Sequence, residues 1–193
     1  IGHAVDNIPG IDMYLDKSVF IASDVSGSME QPLSTVSEVN LIDVGIILAK
    51  MFAKRLRYVS TGVFATTFSP VNFSTKILGF ERLPSVGHGT HAHLVLKALN
   101  DNNIEYDAVI LFSDMSVYNF YTDVADRSQF EVEWRNYSNK WPNAKLFMFN
   151  LAGYGTTPVD LVNKNVYMIS GFSDKIFEVM GSWDSIKKTI MEG

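Results

Sequence analysis

The chain has no cysteine among its 193 residues. That excludes disulfides, thiolate zinc sites and cysteine nucleophiles, and it fits an intracellular, cytoplasmic protein. Charge is scarce as well. Asp, Glu, Lys and Arg make up 19% of the chain and the net charge is −5, which argues against a nucleic-acid surface built within it from a dense basic patch. Long apolar runs are also missing. No stretch reaches the ~20 residues that a membrane-spanning helix needs, so no membrane partner is expected. The opening Ile1-Gly2-His3 has no Met and no signal-peptide pattern, as expected of the middle of a longer protein.

Apolar side chains, by contrast, make up 47% of the residues, enough for one sizeable core at this length. Residues 1–16, with Gly2, Pro9 and Gly10, read as a linker or N-terminal extension, and residues 17–193 as one domain. Residues 17–23 form an apolar strand pattern. Ser34 to Arg57 is helical, with Val36, Val39, Ile42, Ile46, Phe52 and Leu56 apolar over most of the circumference. Ser60 to Phe68 and Phe73 to Leu78 read as a hairpin joined by Ser69-Pro70-Val71-Asn72. Helical patterns follow at His91–Leu99 and Phe130–Trp141, and a further helical region at Phe172–Ile190. Between them lie apolar strands at Asp107–Phe112, Ala144–Leu151 and Val166–Ser170. Strands alternating with helices predict an α/β fold, a mostly parallel sheet with helices on both faces. Ligands of such sheets bind at the carboxyl ends of the strands, where strand order reverses.

Three polar fragments fall at that edge. Asp24-Val25-Ser26-Gly27-Ser28-Met29 follows the first strand. Gly87-His88-Gly89-Thr90 precedes the second helix. Ser113-Asp114-Met115 ends the Val109–Phe112 strand. Any one alone reads as a turn or a helix cap. Together Asp24, Ser26, Ser28, Thr90 and Asp114 offer two carboxylates and three hydroxyls, hard oxygen donors suited to a divalent cation, Mg²⁺ above all.

Asp24, Ser26, Ser28, Thr90 and Asp114 match residue by residue the metal-ion-dependent adhesion site of von Willebrand factor A domains, and the chain resembles that family over residues 17–190. The resemblance implies a Rossmann-like, doubly wound sheet of six strands with one antiparallel edge strand. It also implies a bound Mg²⁺, with Mn²⁺ or Ca²⁺ as substitutes, whose open position takes an acidic group from a protein or other ligand. Asp24-Val25-Ser26-Gly27-Ser28-Met29, Phe112-Ser113-Asp114-Met115, Trp134…Tyr137 before Ala144-Lys145-Leu146, and Ile169-Ser170-Gly171-Phe172-Ser173 are similar to the A domain that ends Ro ribonucleoprotein (TROVE) proteins. In that family a ring of helical repeats, absent from this chain, precedes the A domain and binds RNA.

The rival is a hydrolase using Ser26 or Ser28 with His88, His91 or His93 and Asp114. The Gly-x-Ser-x-Gly elbow is missing, since Asp24-Val25 precedes Ser26, and binding without catalysis is the expectation. His88, His91 and His93 do not share one helical face, as a zinc site there would need. They read instead as a cap and surface histidines, with His88 or His91 at the rim of the cation site. Tyr118, Phe120 and Tyr121 form either a partner-contacting rim or a packed-down loop. Met51, Phe52 and Trp134 are expected in the core.

Overall fold

The computed structural model describes residues 14–32, 39–73, 83–115, 124–152 and 165–170. The expected helical region at Phe172–Ile190, the Tyr118–Tyr121 loop and most of the strand expected at Phe73–Leu78 lie outside them. Among the described residues the strands are β1 (Ser18–Asp24), β2 (Tyr58–Phe64), β3 (Phe68–Pro70), β4 (Ala108–Ser113), β5 (Lys145–Asn150) and β6 (Val166–Ser170). The helices are α1 (Leu41–Arg55), α2 (His93–Asp101) and α3 (Val124–Lys140).

The strands make one sheet in the order β3-β2-β1-β4-β5-β6. Every pairing is parallel except β2 with the edge strand β3. The α/β, mostly parallel architecture is therefore the observed one, with its antiparallel strand at an edge. From β1 the chain winds to one side through β2 and β3, then crosses to β4 and winds to the other. β1 and β4 thus flank the point where strand order reverses, and their carboxyl ends are the place for a ligand.

The apolar strands are buried on both faces, as continuous hydrophobic runs require. From β1, Val19 and Ile21 pack with Leu41, Val44, Leu48, Ala49 and Phe52 of α1. Phe20 and Ala22 face the other way, onto Val95, Leu96 and Leu99 of α2 and Phe130, Trp134 and Tyr137 of α3. Phe52 and Trp134 are core residues, and Met51 is half-buried against the core. Tyr14, at the end of the segment read as a linker, is buried with its ring edge-on to Phe147 at 5.7 Å.

Two local expectations are corrected. α1 begins at Leu41 instead of Ser34, because Asn40 and Asp43 form a reciprocal capping box (Asp43 N–H to Asn40 Oδ1, 2.9 Å). Just before it, Asn40 pairs with Pro32 in an isolated antiparallel bridge. The hairpin turn is Ala65–Thr67 instead of Ser69–Asn72. There Ala65 N–H donates to the Thr67 carbonyl and Thr67 N–H to that of Val86, both at 2.9 Å. The second of these is a long-range bond that no local turn signal reports.

Candidate metal centre

β1 ends on Asp24 and β4 on Ser113, and adjacent register brings the two ends together, with Ser23 opposite Phe112. Asp24 is fully buried, and both of its oxygens are engaged. Oδ1 accepts from the Ser26 N–H at 2.9 Å and Oδ2 from the Ser113 hydroxyl at 2.6 Å. Burial pushes the Asp24 carboxyl from its ordinary 3.8 up to about 7; the Ser113 and Ser26 bonds pull it back, and the negative charge of nearby Asp114 adds to the rise. Asp114 is likewise fully buried. The two carboxylates therefore sit within electrostatic reach of each other.

Beyond Asp24 the chain leaves the sheet but stays tied to it. Val25 N–H donates to the Phe64 carbonyl at 2.9 Å, and a 3₁₀ turn over Gly27–Glu30 follows. This turn, rather than an extended run, brings the Ser26 and Ser28 hydroxyl oxygens to 3.2 Å. Ser26 is buried and Ser28 half-buried. Met29, wholly buried at the turn, accepts the Asp114 N–H at its Sδ, 3.1 Å away. On the far side of Asp114, Met115 holds a left-handed φ of +58°, costly for a side chain of its size. Its N–H donates to the Ser113 hydroxyl at 3.0 Å. Ser113 thus donates to Asp24 and accepts from Met115, fixing both strand ends.

The third fragment reaches the same edge. Gly27 N–H donates to the His88 carbonyl at 3.0 Å, and His91 N–H to that of Ala65 at 2.9 Å. Half-buried Thr90 lies between these two anchors. Gly87 has φ +84°, and a Cβ there would meet Thr66 Oγ1 at 2.5 Å, so glycine is required. Thr66 Oγ1 in turn accepts the Gly89 N–H at 2.9 Å. The structure gathers Asp24, Ser26, Ser28 and Asp114 at one strand edge and straps the Thr90 segment beside them.

The histidines are corrected in part. His93 is buried as the first residue of α2, whose N-cap is Ala92 with no side-chain cap. His91 is half-buried, with its ring edge-on to His93 at 5.7 Å, and His88 is exposed. Among the described residues no group of three or more His, Cys, Asp or Glu side chains forms a cage of its own. The donor set here is two carboxylates with hydroxyls, which is the chemistry of a hard cation.

Two neighbours of the site were not singled out as partners by sequence reasoning. Ser113 had a signal, a hydroxyl beside Asp114 at a strand end. Gln31 had none: its Nε2 donates to Asp114 Oδ2 at 3.4 Å across 83 positions of sequence.

No protein-family profile matches the chain, and no curated protein matches it. Among solved structures, the Deinococcus radiodurans Ro (RSR) protein superposes with a TM-score of 0.66 over 88% of this chain, at 16% identity. This chain has a Ro-like fold. It spans about a third (34%) of that Ro chain's length. An uncharacterized membrane spanning protein from Vibrio fischeri, at 14% identity and a TM-score of 0.32, is too distant to carry an argument. Among the described residues no helix is long and apolar enough to cross a membrane.

Proposed function

We propose that this chain is a divalent-cation-dependent binding module of the von Willebrand factor A type. Asp24, Ser26, Ser28, Thr90 and Asp114 would hold Mg²⁺, with Mn²⁺ or Ca²⁺ as substitutes. The observation that carries this reading is the pair of fully buried carboxylates, Asp24 and Asp114, the second adding to the cost of charge on the first, at a strand edge lined by the Ser26 and Ser28 hydroxyls. Burying two like charges is expensive unless a cation balances them. Mg²⁺ takes oxygen ligands and keeps some positions for water or substrate, and two carboxylates neutralise its charge. When bound, the ion would supply Lewis acidity toward one acidic group of a partner. The residues of this chain bind and orient, and no bond is made or broken.

The hydrolase alternative has less support. The Ser26 hydroxyl faces that of Ser28, and the Asp114 carboxylate accepts from Gln31. The Ro-like fold favours a module of a larger protein in which RNA is held elsewhere, by helical repeats outside this chain. The test is titration calorimetry with MgCl₂ on the wild type and on Asp24→Ala/Ser26→Ala. Saturable binding that the double variant loses while keeping its fold supports the reading, and equal affinity in both defeats it. Turnover of ester or phosphate substrates, lost in Ser26→Ala, would replace it with the hydrolase.

A further inference from the structure

Gln31 stands just past the 3₁₀ turn, and its main chain is held on both sides. Its N–H points to the Ser28 carbonyl at 3.5 Å, and its own carbonyl accepts the N–H of Leu41, the first residue of α1, at 3.2 Å. Its half-buried side chain reaches across to Asp114, where Nε2 donates to Oδ2. The two carboxylates are therefore supported differently. Asp24 is oriented by its own turn and by Ser113. Asp114 accepts at Oδ2 from the Gln31 side chain, which comes from beyond the 3₁₀ turn.

We propose that Gln31 is a positioning residue that sets cation selectivity by orienting Asp114; this rests on the cation reading given above. A carboxylate that binds an ion through one oxygen keeps its plane only if the other oxygen is held, and such supporting partners tune metal affinity. The demand is ion-dependent. Mg²⁺ needs near-ideal octahedral geometry, whereas Ca²⁺ accepts more ligands in looser arrangements. Gln31 thus favours the smaller ion, because its neutral amide fixes Asp114 without adding a third negative charge.

The experiment is calorimetry with MgCl₂ and with CaCl₂ on the wild type, Gln31→Ala and Gln31→Glu, with circular dichroism as the check of fold. Gln31→Ala is expected to bind Mg²⁺ roughly 10–100-fold more weakly and to lose less for Ca²⁺. Gln31→Glu keeps the length but replaces the donor by a carboxylate. It is expected to tighten Ca²⁺ and so lower the Mg²⁺/Ca²⁺ preference too. A purely structural role would weaken both ions by one factor. An unchanged preference in both variants overturns the proposal, and if Gln31→Ala does not fold, Gln31→Glu alone decides. A wild type that takes up neither ion overturns the cation reading itself, whereas tight wild-type binding with unchanged preferences overturns this inference alone.

Discussion

The Ser113 hydroxyl donates to Asp24 Oδ2 at 2.6 Å, joining the last residue of β4 to the last residue of β1. The same oxygen accepts the Met115 N–H, so one side chain holds a buried carboxylate and a left-handed backbone together. Ser113→Ala leaves the Met115 N–H without that acceptor and Asp24 with one donor fewer. Each such loss costs about 1–3 kcal/mol. A urea melt of Ser113→Ala without added metal is expected to show a loss of at least that size, and Mg²⁺ affinity is expected to fall together with stability. A variant as stable as wild type would show that the bond does not anchor the strand ends.

Gly45 and Ser23 give a second test, on the face of the sheet that α1 covers. A Cβ on Gly45 would lie 2.5 Å from Ser23 Oγ. That hydroxyl is buried with no hydrogen-bond partner among the described residues. Gly45→Ala therefore forces a clash of the overpacking kind, about 1–3 kcal/mol, against a helix-propensity gain of about 1 kcal/mol. Ser23→Ala removes both the obstacle and an unsatisfied polar atom, so alone it should be neutral or mildly stabilising. The double variant is expected to be more stable than Gly45→Ala and at least as stable as wild type. Thermal denaturation of the four proteins measures this coupling, and strictly additive effects would refute it.

What could be read from the residues followed the range of the interactions. The strands were legible because both faces of the sheet are covered, which leaves apolar runs such as Val109-Ile110-Leu111-Phe112 without a polar interruption. The gathering of Asp24, Ser26, Ser28 and Asp114 at one sheet edge was legible because strand ends in an α/β sheet converge. The missed features depend on contacts between distant residues. The β2–β3 turn depends on Val86, the support of Asp114 on Gln31, and the Asp24 clamp on a residue 89 positions away. The start of α1 was misread for another reason. The apolar pattern gives no start within Ser34–Arg57, whereas the Asn40–Asp43 box satisfies two backbone donors reciprocally and sets it.

At the opposite end of the same two strands, Asp107 Oδ2 accepts both the Ser18 N–H at 2.8 Å and the Ser18 hydroxyl at 2.9 Å. Partial burial raises the Asp107 carboxyl, but the Ser18 bonds and the Lys17 ammonium outweigh it and hold the group below its ordinary value. The sign follows from linkage. A depressed carboxyl contributes stability above its unfolded pKa of 3.8 and loses it as pH falls through the lower folded value. Asp107→Asn is therefore expected to be less stable than wild type at pH 7, by about 1 kcal/mol for the weakened hydrogen bonds. The gap should close on acidification below about pH 4. Urea midpoints across pH 3 to 7 measure it, and a gap independent of pH would deny the carboxylate this role.

Asp24 carries the opposite sign, and it links pH to the cation. Its carboxyl is raised to about 7, so in the metal-free chain the folded state keeps a proton that the unfolded chain releases above about pH 4. Relative to Asp24→Asn, the metal-free wild type should lose stability as pH rises from about 4 to 7, approaching roughly 4 kcal/mol if the whole shift is expressed. A bound divalent cation requires the ionised carboxylate, so uptake must displace that proton. Mg²⁺ affinity is thus expected to fall by up to about tenfold per unit below pH 7, with protons released on binding near pH 6. Calorimetry at pH 6 in two buffers of different ionisation enthalpy measures the release directly. Uptake of Mg²⁺ with no proton released, at an affinity flat from pH 5.5 to 8, would mean that Asp24 is already ionised before the ion arrives.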